Sequence, residues 1–362
     1  MSSSKTYPFY IRSTIILFGL TLCSYALSNL RDILVPFSFA LLVAILLNPL
    51  VNRLEVAKVP KVPVIVVALL IAIVVIAAVW YFLTTQMIHF SSQLPQLEVK
   101  TDTLVSKLQH DLARRIPMDK QNRYIAEAKA GIKPLIGRTV GSVVGTLATA
   151  FLLPVYTFLL LYYKTLMLNF LYEIFAEEKQ PEVQTVLVRV RSAIQSYMYG
   201  LLIEGLIVAT LNTIALFALG VPYAILLGVL GAILNVLPFF GGILAALLPI
   251  MVATITSDGF HTQIGVAISY MVIQFIDNHF LIPYIVSSRV KINALISVVA
   301  VLLGAALWGL SGMFLSIPFI GILKIIFDRI PEMQPWGRLL GSEVDTRRPR
   351  RPRRPRRPKA GG

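Results

Sequence analysis

The chain is predicted to be an all-α polytopic integral membrane protein with about eight membrane segments, some of them broken helices or hairpins. Three observations carry this expectation. Of the 362 residues, 56% are hydrophobic and 14% are charged, against about 25% charged in an ordinary soluble domain. The mean hydropathy is +0.76. Apolar runs recur along the chain, and most are long enough to cross a hydrocarbon layer, which takes about 20 residues.

Taken in order, residues 11–30 carry only Arg12, at the edge of the run, and residues 33–52 carry no charge. Another apolar run begins soon after the first, and no small-residue cleavage site follows it, so the first run does not read as a cleavable signal peptide. Residues 62–88 are uncharged, Val- and Ile-rich, and carry Trp80 and Tyr81 towards their end. Residues 139–163 end in Tyr162 and Tyr163. Such aromatics suit the membrane–water boundary. The run 192–219 holds a single acid, Glu204, and is followed by 221–257, 260–288 and 292–323.

Two stretches do not fit one straight span. Residues 221–257 would extend about 55 Å as one helix, against a hydrocarbon core of about 30 Å. Asn235, Pro238, Gly241 and Gly242 interrupt the run, so a broken helix or a hairpin is expected. Residues 292–327 repeat the pattern, with Gly309-Leu-Ser-Gly312 as the break and Pro318 beyond. Non-helical backbone at membrane depth persists only when buried in protein or lining a watery cavity, and Gly/Pro-broken apolar segments point to a transport site. Ordinary kinked or hairpin helices are the alternative.

The expected organisation is three N-terminal membrane helices (1–88), a polar amphipathic helical insertion (89–138), a membrane transport core (139–340) and a basic tail (341–362). In the insertion, Leu94, Leu97, Leu104, Leu108, Leu112 and Ile116 recur at helical spacing. Residues 164–191 read as a short solvated linker and helix.

The net charge of +15 is mostly local. Nine of those charges lie in Arg347–Lys359, an Arg-Arg-Pro repeat without acids. Proline forbids a helix there, so an extended, solvated arm is expected. Contact of the tail with anionic lipid is one reading. Specific nucleic-acid binding is not expected, because no aromatic residue interleaves to stack on bases. Basic residues in the short loops (Arg53, Lys58, Lys61, Arg289, Lys291) put both termini in the cytoplasm if each broken segment returns to the side it entered from.

No catalytic motif is present, and neither a metal nor a cofactor is expected; the chain does not read as an enzyme. One cysteine excludes a disulfide framework. The informative residues are ionisable groups inside apolar runs, which cost several kcal/mol unless paired or wet. Glu204 is one, with Gly200 and Gly205 nearby as small residues that permit close helix approach, and Asn212 on roughly the same helix face. Asp277 is the other. Gln274, Asp277 and Asn278 share a face by three- and four-residue spacing, and Pro283 follows. Each acid suits cation binding, proton carriage or hydrogen bonding to a polar solute; a structural clamp between helices is the alternative.

The stretch Leu219–Gly242, which closes in Asn-Val-Leu-Pro-Phe-Phe-Gly-Gly, resembles the core motif of the AI-2E family of bacterial membrane proteins. Gln274–Pro283 is similar to the family's Q-x-x-[DE]-[NG]-x-x-x-x-P pattern, and Gly304–Pro318 to its Gly-rich final segment. The family turn usually reads close to Ile-Pro-Tyr-Ile-Gly-Pro. This chain, with Leu-Pro-Phe-Phe-Gly-Gly, lacks the tyrosine hydroxyl and the second proline. The resemblance implies about eight membrane segments in the bacterial inner membrane, cytoplasmic termini, and export or permeation of a small molecule such as autoinducer-2 or of an ion. It also implies a homo-oligomer, a ring such as a pentamer being one form. Some members are associated with cation/proton antiport, so a Na⁺ or Li⁺/proton antiporter is the first rival reading. A non-transporting membrane scaffold is the second. The leading reading packs both broken segments beside Glu204 and Asp277 as an ion-coupled or facilitative route.

Overall fold

The computed structural model describes residues 8–56, 58–112, 147–238, 241–257, 260–286 and 291–341. The Arg-Pro tail, the second half of the insertion and Arg289 lie outside the described residues. The described chain is helical, and among these residues the only β pairing is an isolated antiparallel bridge between Ile292 and Gly341.

Helices α1 (Phe9–Asn29), α2 (Arg31–Val56) and α3 (Lys61–Leu112) follow one another. The membrane window of α1 buries none of its residues in the protein, as a helix facing lipid tails would. The α3 helix runs 52 residues without interruption, about 78 Å at 1.5 Å per residue. Its apolar part, Lys61–Ile88, uses little more than half of that, and the remainder continues beyond the span as the same helix.

Helix α4 (Leu147–Tyr162) packs on α2 and α3. Ala40, Ala44, Val51, Val64, Ile65, Ala68, Leu160 and Leu161 form their common core. After the kink at Tyr163 comes α5 (Lys164–Ile174), which buries no residue.

Helix α6 (Gln180–Ala218) spans 39 residues. The solvated linker and helix expected over residues 164–191 take the form of α5, a short turn and the first turns of α6, which starts at Gln180 with Pro181 in its first turn. Proline is pre-organised for that position, since the N–H it lacks would be unpaired there anyway. The charged residues Glu182, Arg189 and Arg191 ride on this first stretch, and the apolar run continues it without a break.

The end of α6 sets the geometry of the core. Gly220 adopts a left-handed φ of 68°. Its N–H donates to the Phe217 carbonyl at 3.0 Å, and the Val221 N–H donates to the Leu216 carbonyl at 3.0 Å. This is the paired bonding of a Schellman cap, which turns the chain sharply. Helix α7 (Ala224–Asn235) therefore folds back along α6. The two backbones touch at Gly228, where a Cβ would strike Thr213.

Helix α8 (Gly241–Thr256) returns against α7, so residues 224–256 form a hairpin of two short helices. A Cβ on Gly241 would meet the Leu234 carbonyl and Asn235. Helix α9 (His261–Ile276) runs into a π-wound segment, Asp277–Val286. Leu216, Ala224, Ala245, Val252, Val266 and Tyr270 pack α6 to α9 together.

Helix α10 (Ala294–Phe327) is a second hairpin. Trp308 (φ −133°, ψ 17°) and Gly309 (φ 61°, ψ −139°) leave helical space. Gly304 and Gly312 then meet backbone to backbone, which a straight helix would hold about 12 Å apart. The arms have about 14 and 18 residues, or about 21 and 27 Å, so α10 does not cross as one straight span despite its 34 apolar-rich residues. Its core contacts are with α2 and the first half of α6, through Leu42, Ile194 and Leu315. Helix α11 (Gln334–Leu340) closes on α10.

Trp308 Nε1 donates to the Leu27 carbonyl of α1 at 2.9 Å, tying the hairpin tip to the otherwise unburied first helix. Trp308→Phe is expected to lower stability by about 1 kcal/mol, read as a small fall in the thermal unfolding midpoint in detergent.

Among the described residues, six helical stretches are long and apolar enough to cross a membrane, the hairpin α10 being one of them by length alone, and three shorter apolar helices accompany them. The protein is therefore an all-α, multi-pass membrane protein.

Candidate functional site

Three helices bring polar side chains to one point. Glu204 of α6 is 4% exposed and Asp277, at the start of the π segment, is 1% exposed. Asn235, the last residue of α7, lies between them. Its Nδ2 donates to Glu204 Oε1 at 3.2 Å and to Asp277 Oδ2 at 2.9 Å. Asn235 thus bridges the two carboxyl groups. The Gln274 Nε2 donates to Asp277 Oδ2 at 3.5 Å.

Local structure explains why the groups converge. The Schellman turn returns α7 along α6, so the end of α7 comes level with Glu204. The change from α to π winding begins at Asp277. Gly200, one turn before Glu204, has no room for a Cβ against Ile285 and Val286, so the π segment lies tightly on α6. Gly205 meets nothing within 4 Å and takes no part in that approach.

A cavity of about 10 Å³ adjoins the cluster, lined by Asn212, Asn235, Tyr270, Gln274 and Asp277 together with apolar residues. That is room for about one water-sized particle. Asn212 Nδ2 donates to the Gly228 carbonyl at 3.5 Å, but Asn212 Oδ1, Tyr270 Oη and Asp277 Oδ1 have no protein partner. Each such buried atom costs about 1–3 kcal/mol if left unpaired, so the cavity favours a polar occupant. No Lys or Arg lines it. Among the described residues there is no group of three or more His, Cys, Asp or Glu suited to a metal ion.

The sequence-selected residues separate in space. Glu204, Asn212, Asn235, Gln274 and Asp277 come together. Gly241 is buried at the hairpin turn, and Gly242 makes room for Gln274, whose side chain occupies the place of a Cβ. Pro238 is half-buried in the turn. Asn278 is not on the face of Asp277: it is exposed, because it follows Asp277 by one residue and so points about a quarter-turn away. Pro283 is exposed within the π segment. Gly309 and Gly312 belong to the α10 hairpin and do not line the cavity. The expectation that both broken segments flank the acids is thus corrected. The α7–α8 hairpin adjoins them, and α10 packs on α2 and the earlier half of α6. Tyr270 is a site residue that charge-based reading passes over. Its spacing of two helical turns from Asp277 is the signal that would have found it.

Asn235 is the only side chain here that donates to both acids. Asn235→Leu is expected to destabilise the protein by about 3 kcal/mol, since two buried acceptors lose their donor. Thermal unfolding in detergent measures it.

The fold and this interior polar cluster define a polytopic membrane protein with buried acids at its core. The AI-2E family transporter profile matches residues 14–332, and the chain belongs to that family. A Haemophilus influenzae protein provisionally named a transport protein is 28% identical over 329 residues, covering 87% of this chain and 91% of the relative. The AI-2 transport protein TqsA of Escherichia coli is 26% identical over 314 residues, covering 82% and 86%. The protein YhhT of E. coli, also provisionally named for transport, is 24% identical over 299 residues, covering 81% and 84%. This is a family of transport proteins, and the chain is a membrane transporter or permease rather than an enzyme.

Proposed function

We propose that the protein exports or passes a small polar molecule such as autoinducer-2 across a bacterial inner membrane, with the Glu204–Asn235–Asp277 cluster on the route. The observation that carries this is a buried polar cluster with three unpartnered oxygens inside an apolar helix bundle. Unpaired polar atoms at membrane depth persist where a cavity serves a solute or ion. The name of the TqsA relative supports the choice of solute. A cavity of about 10 Å³ is too small for such a molecule, so passage requires the helices around it to separate. The test is efflux of autoinducer-2 from proteoliposomes, expected to exceed that of protein-free vesicles. Equal efflux refutes the solute assignment.

A second reading has its own observation. Two carboxyls bridged by Asn235, one with a free oxygen and both near the free oxygens of Asn212 and Tyr270, form a site for one small cation or a shared proton, as a Na⁺ or Li⁺/proton antiporter needs. Collapse of a pH gradient in everted vesicles on adding Na⁺ or Li⁺ supports it, and an unchanged gradient refutes it.

We also assign both termini to the cytoplasm, from the basic residues of the short loops, and a homo-oligomeric assembly such as a pentameric ring.

A further inference from the structure

A second polar site lies away from the acids, where α2 and α4 end and α3 begins. The Lys164 Nζ donates to Asn48 Oδ1 at 2.9 Å and to Asn52 Oδ1 at 3.2 Å. Both acceptors are neutral, and among the described residues no carboxylate lies within ion-pair distance of Lys164. Lys61 stands beside it, its Nζ donating to the Tyr162 carbonyl at 2.6 Å. Lys61 and Arg191 are close enough to oppose the charge of Lys164, and Glu55 is close enough to favour it.

Depth identifies what such a site would meet. Lys61 opens the apolar part of α3, and Tyr162 closes the short apolar helix of α4. Tyr162 and Tyr163 are both exposed, as aromatics at the membrane–water boundary are. The adjoining α5 shows Leu166 and Phe170 outward, 65% and 60% exposed, which is apolar surface suited to acyl chains. We propose that Lys164, with Lys61 beside it and Arg191 adding to the local positive charge, binds the phosphate of an anionic phospholipid at this helix junction. Burial holds the Lys164 ammonium below the usual lysine range, with Glu55 opposing and Arg191 and Lys61 adding to the effect. A phosphate would replace the solvation that burial removes. The site is independent of the transported solute.

The experiment titrates the full chain, in neutral detergent, with phosphatidylglycerol, phosphatidylcholine or inorganic phosphate, and counts bound lipid by native mass spectrometry. Phosphatidylglycerol is expected to bind, and Lys164→Gln to weaken it about fivefold. The exposed Arg191→Gln is expected to act in the same direction, and it carries the comparison should Lys164→Gln fail to fold. Phosphatidylcholine is expected to bind equally to all three proteins. Unchanged phosphatidylglycerol binding in the folded variants overturns the proposal. So does inorganic phosphate competing as strongly as the lipid, which would make the ligand a soluble anion.

Discussion

Asp277→Asn is expected to fold normally and to lose transport by about ten- to a hundredfold. Asparagine keeps the shape of the side chain, and its carbonyl oxygen still accepts from Asn235 Nδ2, which lies 2.9 Å from Asp277 Oδ2. What disappears is the charge and one of two acceptors, Oδ1 being the atom now without a protein partner. A charge-assisted hydrogen bond is worth about 1.5–3 kcal/mol, and each 1.36 kcal/mol is a factor of ten in rate. Reconstituted flux, with the unfolding midpoint measured beside it, separates the role from the fold. Normal flux in a folded Asp277→Asn would reduce the cluster to a structural clamp. Asn278→Ala is the control: its side chain is exposed, and flux is expected to be unchanged.

Gly312→Val is expected to have the largest effect on stability. A Cβ at this position falls on the carbonyl group of Gly304, and one at Gly304 falls on that of Gly312. Backbone cannot rotate away as a side-chain tip can, so the arms of α10 must separate. Overpacking of this kind costs upwards of about 3 kcal/mol. It would also disturb Leu315, which shares a core with Leu42 and Ile194. Loss of the monodisperse peak in size-exclusion chromatography is the expected readout. Gly309→Ala should cost about 1–3 kcal/mol for a different reason. Nothing lies within 4 Å of its missing Cβ, but φ is +61° with ψ at −139°. Gly321→Ala, with open space and no positive φ, should change stability by less than about 0.5 kcal/mol.

The membrane helices were legible because hydrocarbon imposes its requirement on each segment separately: a run must be apolar and long enough, whatever its neighbours do. The breaks at Asn235–Gly242 and Gly309–Gly312 were legible for a similarly local reason, since Gly and Pro interrupt helix geometry where they stand. That the charged helix before residue 192 continues into the apolar run as one helix was less so, because composition does not show whether two helical stretches join. Asn278 was misplaced because its four-residue spacing from Gln274 was read as a face shared with Asp277, from which adjacent residues stand about a quarter-turn apart.

Glu204 and Asp277 stood out in the sequence because a lone acid in an apolar run has few inexpensive explanations. That they meet at Asn235 was decided only by tertiary structure. It required the Gly220 turn to lay α7 along α6, and Gly200 to let the π segment approach. The same holds for Lys164, whose amide partners lie on α2, far away in the chain. Local chemistry along the sequence determined which segments enter the membrane and which polar groups are costly there. Pairing those groups across helices depends on backbone approach distances, and these arise only when the helices are packed.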